Sequence, residues 1–385
     1  MTADLAVAMP RRGDGTDAYE AGGRAFPFDD EYFADLMRAR PLEQVARLPI
    51  FAGAALDAHT QKKEDVGFDQ FLVKLYETAL VLDAMRITGR SRTFSRALDI
   101  GSGPALHARI LRLIGRTAEA HAIDIYDGRP RCSDRLLQRH ARKLQLLYAG
   151  YRARKVLPAS VRRRINRLRA IEEKFPLGVE GFGHRPDEAP YRARFRSGPS
   201  LDRYHVGDLF AHDGSYDLIT SFMALEYFDF DRLAATVSSL LTPRGLFAFV
   251  VSYWWYPVNN TLLYGRFPYL LQQLGFDETL EYYRRVHPGL SIAGIEERLG
   301  YSDRTRPTIA DYERIGHAHG LTPLTAFRLH PDHVRNPRST YGPLAIDRRP
   351  QWPLARVLDN ARRVKPDLGI ADLMTSHVLL LFERR

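Results

Sequence analysis

The spacing of apolar residues changes period along this chain, and each change marks an element. In "FDQFLVKLYETALVLDAM", Phe68, Phe71, Leu72, Leu75, Leu80 and Leu82 recur at helical intervals and predict one apolar helix face. The period then shortens at Arg96, where Ala97, Leu98 and Ile100 form a strand-like run ending in Gly101-Ser102-Gly103. Leu106, Ile110 and Leu111 restore helical spacing, and "AEAHAIDIYDG" returns to a strand. Two strands separated by about one helix read as a right-handed parallel βαβ unit.

The alternation resumes further on. Strands are predicted at Tyr204–Val206, at Asp217–Ser221 and in "GLFAFVVSYWW", whose continuous apolar character fits a strand buried on both faces. A helix is expected over "DFDRLAATVSSLL" and another over "TIADYERIGHAHG", then strands at "LTPLTAFRL" and "SHVLLLFER". This is an α/β chain with one decorated core and no separate second domain. Residues 1–25 are expected to be a disordered tail, 26–92 an N-terminal helical cap and 93–385 the core. Two insertions interrupt the core. Residues 128–200 carry a helix over "SDRLLQRHARKLQLLYAGYRARKVL" and a second over "SVRRRINRLRAIEEKF", whereas residues 254–308 are rich in aromatics.

Charge sharpens one part of this outline. The chain of 385 residues has a formal net charge of +10. Between Gly128 and Ser200 stand 19 Lys and Arg against 6 Asp and Glu, a balance of +13, so the remainder sums to −3. A basic segment attracts nucleic acid, anionic lipid or an anionic small molecule, and is equally the signature of a solvated helix face. The single cysteine, Cys132, excludes an internal disulfide and a cysteine metal cluster. There is no apolar run long enough to span a membrane and no signal-peptide core at the N-terminus, so the cytoplasm is the expected compartment.

The glycine turn carries the candidate chemistry. A dinucleotide cradle normally has Gly or Ala at the sixth position of G-x-G-x-x-G, where this chain has Leu106. Asp99, two residues before Gly101, would repel a pyrophosphate and suits a cationic ligand. With these residues the chain resembles the class I S-adenosylmethionine-dependent methyltransferases, through five motifs in order. "LDIGSGPA" resembles their first motif, which implies Asp99 near the methionine ammonium and Gly101, Ser102 and Gly103 against the cofactor; Ala105 stands where the family often has a third glycine. "AIDIYD" resembles the second, which implies Asp124 at the ribose hydroxyls and Ile125 against adenine. "HVGDLF" resembles the third, with Asp208 at the adenine amino group and Leu209 at the ring. "YDLITSFMALEYF" and "LLTPRGLFAFVV" resemble the fourth and fifth, with Ser221 closing the cofactor side.

The resemblance implies a seven-stranded Rossmann-like methyltransferase sheet with an antiparallel last strand, S-adenosyl-L-methionine as cofactor and in-line methyl transfer to a small molecule. Oxygen is the preferred acceptor atom over nitrogen or carbon, and specialised metabolism the expected setting. Glu226 and Tyr227, after the fourth strand, and His287 in the aromatic insertion are the candidate catalytic residues. Related small-molecule enzymes often read Glu-His where Glu226-Tyr227 stand, which weakens a histidine base there. Tyr253, Trp254, Trp255 and Tyr256 are expected to divide between a substrate pocket for an anionic or aromatic acceptor and anchors for the insertion. Acidic residues that would hold Mg²⁺ in catechol-type relatives are replaced by Ser221 and Ser252, so no metal is expected. Nucleic acid is not the expected partner, because the Pro-Pro-aromatic tetrapeptide of base-modifying relatives reads "SFMA" here. An RNA methyltransferase using the basic insertion and a non-catalytic cofactor-binding protein are the alternatives.

Overall fold

The computed structural model describes residues 18–21, 24–27, 65–154, 194–256, 270–286, 291–296, 299–329, 352–373, 375 and 377–385. The second basic helix expected over residues 160–175 and His287 lie outside the described residues, as does the whole segment 28–64.

The chain divides into two compact units. The larger unit holds a seven-stranded sheet. Its strands are β3 (Phe94–Ile100), β4 (Thr117–Asp124), β5 (Arg203–Val206), β6 (Tyr216–Phe222), β7 (Leu241–Ser252), β8 (Leu321–Leu329) and β9 (His377–Arg384). They lie in the order β5-β4-β3-β6-β7-β9-β8. Strands β3 to β7 pair in parallel, and the last strands run antiparallel. This is the expected seven-stranded Rossmann-like sheet with antiparallel last strands. The order reverses beside β3, between β4 and β6, and open α/β sheets bind ligands at that switch point, beyond the carboxyl ends of the strands.

Helices α1 (Phe68–Ile87), α2 (Leu106–Leu113) and α3 (Asp134–Arg154) share one apolar cluster. Phe71, Leu72 and Leu75 come from α1, Leu106, Ile110 and Leu113 from α2, and Leu137, Ala141 and Leu144 from α3. Sandwiched this way, α2 is buried on all sides, so its polar residues need partners. Arg109 reaches Asp134 at 3.0 Å and the Ser200 hydroxyl at 2.9 Å. Cys132 sits in the same cluster, where burial pushes its thiol up to about 11 and keeps it unreactive. On the other side, α4 (Phe230–Leu240) and α9 (Ile309–Ala318) pack together, and Phe230, Phe249 and Tyr312 meet edge to face. Strand β7 buries every residue from Gly245 to Val251, as its continuous apolar run requires.

The second unit gathers segments far apart in sequence. It contains β1 (Ala18–Ala21) and β2 (Arg24–Pro27), the short helices α5 (Leu270–Gln273), α7 (Ile292–Glu296) and α8 (Tyr301–Thr305), and α6 (Phe276–Val286). It is completed by α10 (Trp352–Val364) and α11 (Ile370–Leu373). The tail expected to be disordered through residue 25 includes β1, which pairs antiparallel with β2 and sets Tyr19 opposite Phe26. Strand β2 packs on α5 and α10, a partner that no local pattern announces.

Candidate functional site

The site expected from sequence assembles at the carboxyl edge of the larger unit's sheet. Strand register brings the motif ends level, with Ile100 of β3 beside both Ile123 of β4 and Ser221 of β6. After Ile100 the chain turns sharply through Gly101 (φ +62°) and Gly103 (φ +50°). Side chains rarely adopt this left-handed region, which glycine enters freely. Gly101 is also sterically obligatory, since a Cβ there would lie 2.5 Å from the Ala224 Cβ. Ala105, the N-cap of α2, holds φ +58° without being glycine, and Met223 beyond β6 holds φ +56°. Strained backbone of this kind concentrates at functional sites.

Asp99 is buried one residue inside the strand end, in register with Thr220. The Thr220 hydroxyl donates to its Oδ1 at 3.0 Å, whereas Oδ2 is buried and has no hydrogen-bond partner. Burial pushes the carboxyl up to about 7, against the opposing pull of Thr220, the Ala108 amide and the positive charge of Lys74. A buried carboxylate with one bare oxygen is stabilised in its charged form by a neighbouring cation.

Asp124 ends β4. Its Oδ2 accepts the Gly103 N–H at 2.7 Å and its Oδ1 accepts the Tyr126 N–H at 3.0 Å. Asp208 accepts the Phe210 N–H at 3.0 Å and so opens the short turn Leu209–Ala211. Ile125 is 64% exposed, together with Tyr126, Val206 and Tyr227 at the same sheet edge. These are four of the seven exposed large apolar side chains among the described residues, which makes the edge an apolar surface.

Leu209 is 3% exposed and packs into the fold. Ser221 is fully buried, and its hydroxyl donates to the Ile100 carbonyl at 3.1 Å. Glu226 and Tyr227 share one short turn, in which Tyr227 is 75% exposed. Tyr253, Trp254, Trp255 and Tyr256 are all buried within the second unit. Tyr253 donates to Asp372 at 2.7 Å, the Trp254 indole donates to Asp303 at 3.1 Å, and Arg306 lies 4.5 Å over the Trp254 ring. Tyr253 and Trp254 thus find polar partners inside the unit, whereas the Trp255 indole N–H is buried without a hydrogen-bond partner among the described residues. Among the described residues no group of three His, Cys, Asp or Glu is placed to hold a metal ion, and no helix is long and apolar enough to cross a membrane.

Sequence reasoning missed Tyr204 of β5. Its hydroxyl lies 2.6 Å from the Gly103 carbonyl, 2.9 Å from the Tyr126 carbonyl and 3.0 Å from the Gly128 amide. No motif signals it, since its role comes from the pairing of β5 with β4 that sets Tyr204 beside Ala122.

No family model matches the chain, and no curated protein matches its sequence. Solved structures do resemble it. The geranyl diphosphate C-methyltransferase from Streptomyces coelicolor A3(2), crystallised with Mg²⁺, geranyl diphosphate and S-adenosyl-L-homocysteine, is 12% identical at a TM-score of 0.37, covering 92% of this chain and 98% of that one. A geranyl diphosphate methyltransferase in complex with SAM is 13% identical at a TM-score of 0.34, covering 81% and 85%. The N-methyltransferase NodS from Bradyrhizobium japonicum WM9 is 10% identical at a TM-score of 0.33, covering 81% and 96%.

Proposed function

We propose that this chain is an S-adenosylmethionine-dependent methyltransferase acting on a small molecule. The observation that carries the reading is Asp99, a buried carboxylate with one bare oxygen behind a glycine turn, at the switch point of a sheet in the methyltransferase order. The residues present fit the cofactor. Asp99 suits its ammonium, Gly101–Gly103 leave room for close approach, and the exposed side chain of Ile125 offers a flat apolar contact for adenine. Asp124 already accepts one amide on each oxygen, and a carboxylate oxygen has a further lone pair for a ribose hydroxyl.

When bound, the cofactor supplies a methyl group already activated on a sulfonium. The task left to the chain is to align donor and acceptor and exclude water, and positioning of that kind is worth up to roughly 7–11 kcal/mol. An oxygen acceptor is the first to test; it loses a proton on transfer, and Glu226 at the sheet edge is the group we assign to receive it. The exposed apolar side chains Tyr126, Val206 and Tyr227 suit a flat or apolar acceptor in specialised metabolism.

Calorimetric titration with S-adenosylhomocysteine and S-adenosylmethionine tests the reading directly. The expected result is binding of both, weakened by roughly tenfold to a hundredfold in Asp99→Asn, which keeps the shape and removes the charge. Uptake of NADH with no heat from either adenosyl ligand would refute it. A second reading, an RNA methyltransferase, is favoured by one feature. Arg135, Arg139, Arg142 and Lys143 line one face of α3, and none has a carboxylate partner among the described residues. Steeply salt-dependent RNA binding would support that reading.

A further inference from the structure

Residue 103 is held from both sides of its peptide. Its N–H donates to Asp124 Oδ2 at 2.7 Å, and its carbonyl lies 2.6 Å from the Tyr204 hydroxyl. The same hydroxyl accepts the Gly128 N–H at 3.0 Å and lies 2.9 Å from the Tyr126 carbonyl. Gly128 is packed so closely on the turn that a Cβ there would fall 1.9 Å from the Gly103 carbonyl oxygen. A phenol has one proton, so it donates to one carbonyl at a time, and the shorter contact is to Gly103. Burial holds the Tyr204 phenol above its ordinary pKa, so it keeps that proton at neutral pH. The Arg129 guanidinium, fixed by Asp127 at 2.8 Å, covers the ring at 5.6 Å.

We infer that Tyr204 is a positioning residue for cofactor binding: its hydroxyl ties the glycine turn to the loop after β4 and, through Gly103, sets the orientation of the Asp124 carboxylate. The inference rests on the methyltransferase reading above. Without the phenol oxygen, the Gly103 carbonyl and the Gly128 amide lose their shared partner. The Gly103 N–H then no longer fixes Asp124 with its free lone pairs turned toward the ribose hydroxyls. Tyr204 itself touches no reacting atom, so its effect on the ribose contact passes through the Gly103 peptide to Asp124.

That dependence can be measured by a double-mutant cycle on S-adenosylhomocysteine affinity, using wild type, Tyr204→Phe, Asp124→Asn and the double variant. We expect Tyr204→Phe to bind roughly tenfold more weakly, the size of effect that losing one or two partly buried hydrogen bonds produces. The double variant should be no more than about twofold weaker than the poorer single one, because residues acting as one unit are not additive. Unchanged affinity in Tyr204→Phe, or losses that multiply in the double variant, would overturn the inference while leaving the function in place. Wild-type protein that binds no adenosyl ligand would overturn both. Where Tyr204→Phe does not fold, amide exchange of the wild type decides. Gly103 and Gly128 should exchange as slowly as strand amides, and fast exchange at both would overturn the strap.

Discussion

At the scale of single residues, the cradle is a set of local compromises with measurable sizes. Ala105 sits at φ +58° and is fully buried, a conformation that costs an L-residue roughly 1–2 kcal/mol. Ala105→Gly should therefore stabilise the protein by up to about 1 kcal/mol after glycine's extra chain entropy is deducted, read as a shift in denaturant midpoint. A loss of stability would show that the alanine methyl is needed for packing. Asp124→Ala should weaken donor binding by roughly 1.5–3 kcal/mol, and it also releases the Gly103 amide. Asp99 adds a pH dependence. Its carboxyl titrates at about 7 in the free protein, and a cationic ligand binds the ionised form. Affinity should therefore hold above pH 7 and fall by up to about tenfold for each unit below it. Calorimetry across pH 5.5–8 that shows a flat affinity would remove Asp99 from the cationic contact.

At the scale of elements, α1 is fastened to the cradle by a buried polar cluster. Thr78 of α1 lies 2.9 Å from His107 Nδ1, and Glu77 lies 3.2 Å from His107 Nε2 and 2.8 Å from the Lys74 ammonium. The Thr78 hydroxyl also donates to the Lys74 carbonyl at 2.8 Å, so its single proton is contested between that carbonyl and the imidazole. The imidazole stacks on Phe222 at the end of β6, ring centroids 3.3 Å apart. Burial pushes His107 down to about 4; burial raises Glu77, yet its contacts with His107 and Lys74 outweigh that and hold it at about 2. Both groups bind protons more readily in the unfolded chain, whose values lie near 6.5 and 4.5. Their stability is present above about pH 6.5, declines as His107 is driven toward 4, and declines further as Glu77 is driven toward 2. Thermal melts from pH 7 to pH 4 should show this fall, and His107→Gln should flatten it between pH 6.5 and 4. An equal slope in the variant would place the acid sensitivity elsewhere.

At the scale of the whole molecule, the chain leaves the larger unit after Val251 and again after Arg328, and each time it returns to supply sheet strands. The last return is decisive. Strand β9 lies between β7 and β8, and Val378–Phe382 are essentially inaccessible to solvent. Phe382 stacks on Phe249 at 6.0 Å and leaves no room for a side chain at Gly316. Phe382→Ala should cost about 3–5 kcal/mol. Deleting residues 378–385 should abolish cooperative unfolding of the larger unit, because it opens the sheet between the buried strand β7 and the half-buried edge strand β8. A truncated chain with an unchanged melting transition would contradict this strand order.

Strand β3, the glycine turn and the level of Asp124 were legible in the sequence because each depends on its own neighbours: hydrophobic period, glycine's access to positive φ, and strand length. For the same reason the strands of the five motifs follow one another in the order expected. The role of Tyr204, the burial of Tyr253–Tyr256 and the pairing of β1 with β2 were not legible. Each depends on which distant segment arrives beside it, and an aromatic residue reads the same in sequence whether it lines a pocket or anchors a core. Local periodicity and backbone sterics thus determined the elements and the turn. Only the tertiary structure decided which polar atoms found partners and left one oxygen of Asp99 bare, because burial and hydrogen-bond satisfaction belong to contacts between segments that sequence order does not place together.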